Sequence, residues 1–353
     1  MTAVELLPWA GFLIGTAFGV AGQVSGFCLL SGLRGWWSGS DGRKIRAFAL
    51  ALAVAVILSQ LLDAAGYVSL ARSAYAQPTL SLVTLVSGGV LFGYGMVMAN
   101  GCGARSLVLL GGGNLRSFVV LLCIGIAAHM TLTGLIAPLR VAAASAITVA
   151  PGVSPPTLSG LAGTTPWLEK EQARWLVVGL LAAVLTPFAF SHRPFRRDAT
   201  QIVAALVIGA LIPLGWFVTG YLGDDDFDPA PLTSLTFIGP IGDTIQYSML
   251  ATGIKASFGV CVVTGVFVGA LATALARRRV QLESFTSPRS MLRYIAGGVL
   301  MGAGGALALG CSIGHGLTGL STLSLASLIA VASIVGGAAL GLHGPLRLAP
   351  VKP

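Results

Sequence analysis

The stretch at 88–102, GGVLFGYGMVMANGC, returns 209 positions later at 297–311 as GGVLMGAGGALALGC, and the two copies agree at 9 of 15 positions. Both are apolar runs that end in Gly-Cys. Both pass at once into a glycine-rich stretch, GARSLVLLGGGN after Cys102 and SIGHGLTGLST after Cys311. Any fold of this chain has to interrupt an apolar helix beside a thiol, twice. At the same offset Cys28, in GQVSGFCLLSG, falls opposite Phe237, in PLTSLTFIGPIGD. Cysteine thus holds three of four related positions and an aromatic ring the fourth, which predicts a site on a pseudo-two-fold axis.

The environment of those breaks follows from composition. Of 353 residues 55% are hydrophobic and 9% charged, with a mean hydropathy of +0.87, whereas a soluble domain carries about 25% charged residues. Several apolar runs reach the roughly 18 residues a helix needs to cross a bilayer, and none alternates polar with apolar as barrel strands do. The fold class is therefore an all-α integral membrane protein with about nine transmembrane helices plus short re-entrant helices. The first apolar run starts almost at Met1 with no preceding Lys or Arg and no small-residue cleavage site, so a retained helix is expected there.

A net charge of +9 could point to nucleic acid. Here the basic residues sit in a few short inter-helix loops, the pattern of cytoplasmic loops under the positive-inside rule, so the bilayer and not nucleic acid is the expected partner. Five cysteines is an odd number, no C-x-x-C pair occurs, and Cys123 and Cys261 lie inside apolar runs. A disulfide framework or structural zinc is not expected, nor any other metal or cofactor.

The spans are expected near 9–30, 47–66, 80–100, 117–139, 175–190, 202–222, within 248–276, 294–309 and 323–342. Residues 34–46, 193–197 and 277–293 form basic loops, assigned to the cytoplasm. The mixed region 140–174 and the acidic Asp224, Asp225, Asp226 and Asp228 are assigned outside. Four spans per repeat with one span between them invert the second repeat. Loop charge agrees: 243–255, the counterpart of basic 34–46, holds one Lys, whereas the loop after Ala276 is basic and its counterpart after Gly66 is not. The expected organisation is a first repeat at 1–139, an outer excursion and linking helix at 140–200, and an inverted second repeat at 201–353. The N-terminus then lies outside, and the C-terminal tail with Arg347 and Lys352 inside.

Backbone that leaves a helix at membrane depth must be buried in protein or line a cavity, and paired glycine-broken segments point to a transporter's binding site. Short helices starting near Ala104 and Ile313 would aim their first N–H groups and positive dipole ends into that cavity, which favours an anion. A thiol adds a weak, polarisable donor suited to sulfur. The expected ligand is a small anion containing sulfur or selenium. Cys102 and Cys311 are assigned to the site, and Cys123 and Cys261 to packing. Arg105, and His315 on a turn exposed to the other side, lie just past the breaks, where a polar or charged group is a functional candidate.

These motifs, GFC at 26–28, NGCG at 100–103 and GCSIGHGLTGLS at 310–321, resemble the sulfur-transport family known as YeeE/YedE. The resemblance implies an hourglass-like inverted-repeat protein of the bacterial inner membrane that passes thiosulfate inward. It also implies contact with the ion by Cys28, Cys102 and Cys311 in turn, and a small cytosolic sulfur-carrier protein as a partner. Asn100, Gly101, Gly103, Gly310 and Ser312 complete the expected substrate-binding set. Two alternatives stay open. One is a transporter of a different sulfur or selenium species. The other is a membrane thiol oxidoreductase, which would want a close cysteine pair and usually a quinone or haem site.

Overall fold

The structure, a computed structural model, describes residues 3–152, 155–163, 169–224, 230–344 and 346, with the backbone alone for 3–5. Asp225, Asp226, Asp228, Arg347 and Lys352 lie outside the described residues, so the expectations placed on them are untouched. Fifteen α-helices follow in order: α1 (Ala3–Ser25), α2 (Leu29–Trp37), α3 (Arg43–Ala64), α4 (Leu82–Met98), α5 (Gly103–Gly111), α6 (Leu115–Leu132), α7 (Ala137–Ala146), α8 (Leu158–Ala162), α9 (Lys170–Phe190), α10 (Arg193–Arg196), α11 (Ala199–Phe217), α12 (Ile238–Leu250), α13 (Phe258–Ala276), α14 (Pro288–Ala308) and α15 (Leu325–Leu342). The only strands among the described residues, β1 (Leu80–Ser81) and β2 (Thr148–Val149), pair antiparallel. Nine helical stretches among those residues are long and apolar enough to cross a membrane, with α1–α2 and α4–α5 each counting as one.

Glycines set the central crossing. A Cβ on Gly88 of α4 would lie 2.6 Å from the Gly304 carbonyl of α14, and one on Gly297 of α14 would lie 2.8 Å from the Gly95 carbonyl of α4. These are the same contact under the 209-residue offset, and they let the two backbones touch as small residues do in membrane bundles. Outside this pair, Gly89 and Gly93 seat α15 on α4, while their counterparts Gly298 and Gly302 seat α6 on α14. Cys123 packs its Cβ on Gly298.

The two ends of the bundle differ. At one end the basic loops hold one another: Arg43 pairs with Asp198 at 3.0 Å, and the Asn114 amide donates to Glu283 at 2.6 Å. The Arg116 guanidinium donates to the Ser284 carbonyl at 2.8 Å. The Gln201 amide, in the first turn of α11, donates to the Ser25 carbonyl at the end of α1 at 2.7 Å. At the other end Arg174 pairs with Asp63 at 3.0 Å, Arg72 with Asp224 at 3.7 Å, and the Ser324 hydroxyl donates to the Tyr75 carbonyl at 2.7 Å.

Three expected boundaries change. The basic loop 34–46 shrinks to 38–42, because Arg34 belongs to α2, whose buried Leu29, Leu30 and Leu33 give it an apolar side. Its counterpart 243–255 is mostly the end of α12, and the span within 248–276 begins only at Phe258. The expected span 117–139 stops at Leu132, and α7 follows as a separate exposed helix.

Candidate functional site: three buried thiols at broken helices

Most helices that begin at a loop are capped in the ordinary way. Asn114, Asp198, Ser257, Ser287 and Ser324 each accept the backbone N–H three residues on, a bond worth about 1 kcal/mol. The helices that start in the middle of the protein are not. Cys28 begins α2, Cys102 begins α5 and Phe237 begins α12, and none of the three places a side chain on the orphan N–H groups. Those donors, with their positive dipole ends, lack the oxygen acceptor that caps the other helices.

The breaks are built alike. Asn100 and Leu309 adopt the left-handed conformation with φ of 58° and 61°, and the next N–H groups, of Gly101 and Gly310, close back onto Met96 and Gly305 at 3.0 and 2.8 Å. Each closure turns the following cysteine away from the helix it ends. Cys28, Cys102 and Cys311 are all buried, at 4%, 3% and 1% exposure. All five cysteines are free thiols, and no group of three metal-ligating side chains forms among the described residues.

Around Cys311 donors converge. The Gly314 N–H donates to its Sγ at 3.2 Å, and the N–H groups of Ile313 and Phe237 and the Thr236 hydroxyl approach it as well. After Cys311 the backbone winds as a wider π-helical turn, Gly314–Gly319, rather than an α-helix. Cys102 has both Cys28 and Cys311 within electrostatic reach and faces the Ser312 hydroxyl and the Arg105 N–H. That hydroxyl is fully buried and meets no hydrogen-bonding geometry with any oxygen or nitrogen. Gly103, next to Cys102, lets α5 pack closely on α12: a Cβ there would come 3.0 Å from Ile241 and 3.9 Å from Phe237.

Arg105 reaches back along α5 toward α1. Its guanidinium sits 3.5 Å from the Gly22 carbonyl, and a Cβ on Gly26, two residues before Cys28, would lie 3.9 Å from Arg105 Nη2 and 3.5 Å from Lys44 Nζ. Two cations thus flank the Cys28 break. Asn100 instead accepts from Arg34 at 2.8 Å. His315 differs most from expectation. It is buried, not on an exposed turn, and both ring nitrogens are engaged: Nε2–H donates to the Ala308 carbonyl at 2.7 Å, and Nδ1 pairs with the Ser327 hydroxyl at 3.1 Å. Packed against Gly310 as well, the ring fixes the second break in place.

Sequence reasoning missed Thr236, Tyr75 and Lys44. Thr236 precedes the position equivalent to Cys28, which was its one signal. Tyr75 lies in the loop 67–79, where no periodicity marks it. A cavity of about 770 Å³ at the end away from the basic loops is lined by Thr236, Asp243, Tyr247 and Lys255, so it reaches the donor shell of Cys311.

Nine apolar spans among the described residues, around a site of buried thiols, define a multi-pass α-helical membrane protein. The chain belongs to the Sulphur transport family, whose pattern it matches over residues 24–340. It is similar to the "Thiosulfate transporter TsuA" of Spirochaeta thermophila, 27% identical over 336 residues covering 91% of this chain and 94% of that protein. It is likewise similar to the protein of the same name from Escherichia coli K12, 26% identical over 317 residues covering 87% and 86%.

Proposed function

We propose that this protein imports a small sulfur-containing anion, thiosulfate first among them, along a central path from the Thr236 cavity past Cys311, Cys102 and Cys28. The observation that carries this reading is the pair of central helix starts, of α2 and α5, that bear a buried cysteine where α6, α11, α13, α14 and α15 bear a capping Asn, Asp or Ser. An uncapped start holds negative charge, and a thiol beside it supplies a soft, weakly hydrated donor that a sulfate oxygen uses less well than a terminal sulfur. The buried Ser312 hydroxyl supplies an oxygen-directed donor between Cys102 and Cys311, and Lys44 and Arg105 receive the ion at the Cys28 side. Gly101, Gly103 and Gly310 keep the backbone close to the ion, and Asn100 and His315 hold the two breaks.

The end carrying the basic loops is the cytoplasmic face of a bacterial inner membrane, by the positive-inside rule, with the N-terminus outside and the C-terminus inside. The two repeats 1–139 and 201–353 would then be inverted about the α4–α14 crossing, with 140–200 linking them. A small cytosolic sulfur carrier would take the ion at the basic face. The names of the two relatives support the substrate. Uptake of labelled thiosulfate into proteoliposomes tests it, with sulfate, sulfite and selenate as competitors. Saturable uptake that sulfate does not suppress is expected, with the three thiols remaining reduced through turnover. Cycling of those thiols through a disulfide would instead make the protein an oxidoreductase.

A further inference from the structure

Beside the central path, at the end away from the basic loops, lies a second chamber of about 270 Å³, several times the roughly 30 Å³ share of a water molecule. Its roof is the short β1–β2 pairing and its floor the broken end of α14 at Leu309. Its polar wall is made by Arg140, Gln77, Thr79, Ser81, Thr84 and Thr148. Among the described residues no carboxylate lines it, and neither Cys nor Met does.

Arg140 is unlike its neighbours at this end. Arg72 and Arg174 are paired with Asp224 and Asp63. Among the described residues Arg140 has no carboxylate partner: Nε and Nη2 donate to the Thr131 and Leu132 carbonyls at the end of α6, at 3.2 and 3.4 Å, and Nη1 meets none of them. The two carbonyls orient the guanidinium without neutralising it. The Ser81 hydroxyl, buried against the chamber, is also unpartnered. A guanidinium held by two carbonyls, lining one partly open pocket with Gln77, Thr79 and Thr148 and with no negative charge among the described residues of its wall, is the donor set of an oxyanion site.

We propose that this chamber binds one small divalent oxyanion of the sulfate kind, held by Arg140 and the hydroxyls around it, and that it reads the ion's oxygens and not its sulfur. Its polar groups are hard nitrogen and oxygen donors with no sulfur among them, so sulfate and thiosulfate bind alike. The chamber does not depend on the central thiols: the Tyr75 and His315 rings, 5.4 Å apart, stand between it and Cys311.

Isothermal titration of inorganic sulfate into the full-length protein in detergent tests this. It is run on the unaltered chain and on a variant with Cys28, Cys102 and Cys311 replaced by Ala. Saturable binding is expected in both, weakened at least tenfold by Arg140→Gln. Because Arg140 also ties down the end of α6, a second variant, Ala144→Glu, leaves its bonds in place and puts a carboxylate into the same chamber; it should weaken sulfate binding equally. Sulfate binding that survives Ala144→Glu, or its absence from the unaltered protein at millimolar sulfate, overturns the proposal. Sulfate binding that vanishes only in the triple Ala variant would place the ion on the thiol path and overturn it too.

Discussion

Asn100 and Leu309, 209 positions apart, end α4 and α14 in the same left-handed conformation, and neither is glycine. For a residue with a Cβ that conformation is strained by roughly 1–2 kcal/mol. Asn tolerates it and is held by Arg34; Leu309 has no such compensation in its side chain.

Leu309→Gly should therefore stabilise the protein by about 1 kcal/mol, and the β-branched Leu309→Val should destabilise it by a similar amount. Thermal unfolding in detergent measures both. Equal melting temperatures for the two variants would show that the strain is relieved elsewhere.

The α4–α14 crossing makes a prediction of equality. Gly95 and Gly304 are counterparts, and a Cβ on either would fall within 2.7 Å of a facing glycine carbonyl. Gly95→Val and Gly304→Val should each destabilise by about 1–3 kcal/mol or more, and by matching amounts. A large disparity between their unfolding midpoints would mean that the two halves do not share this contact evenly.

His315 should behave as the pin of the second break rather than as a ligand. His315→Ala strands the buried Ala308 carbonyl and Ser327 hydroxyl, at about 1–3 kcal/mol for each unpaired group. The melting temperature should fall along with uptake. Lost uptake at an unchanged melting temperature would assign the ring to the substrate instead.

The thiols divide by position. Cys102→Ala, Cys311→Ala and Cys28→Ala should abolish anion uptake with little loss of stability, while Cys123→Ala, which trims a packing contact on Gly298, and Cys261→Ala should transport normally. Cys102→Ser keeps a donor but exchanges a soft group for a hard one. Full transport by that variant would mean that thiol chemistry is immaterial at the first break.

Orientation is open to labelling. A cysteine at Arg278, on the exposed basic loop, in a background lacking the native cysteines should react with an impermeant probe only from the cytoplasmic side. Reaction from outside would invert the proposed topology.

The sequence by itself determined what depends on local composition and on the repeat. Apolar runs of spanning length, the two Gly-Cys breaks, the offset tying Cys28 to Phe237, and the separation of Cys123 and Cys261 from the other cysteines were all legible, because hydropathy and self-similarity are properties of the linear chain. Half-helices were less so. In α2, Arg34 reads as loop although the apolar side around it is buried, and in α12 the string IGPIGDTIQYSML hides a helix behind two glycines, a proline and an aspartate. What faces the thiols was decided only by tertiary structure. Thr236 meets Cys311, Lys44 meets the Gly26 turn, and His315 turns inward to Ala308 and Ser327, because α4 and α14 cross antiparallel at touching glycines and the chain turns back toward the crossing after each broken end. No periodicity encodes the direction a side chain takes across such a crossing; it follows from how closely two backbones can approach.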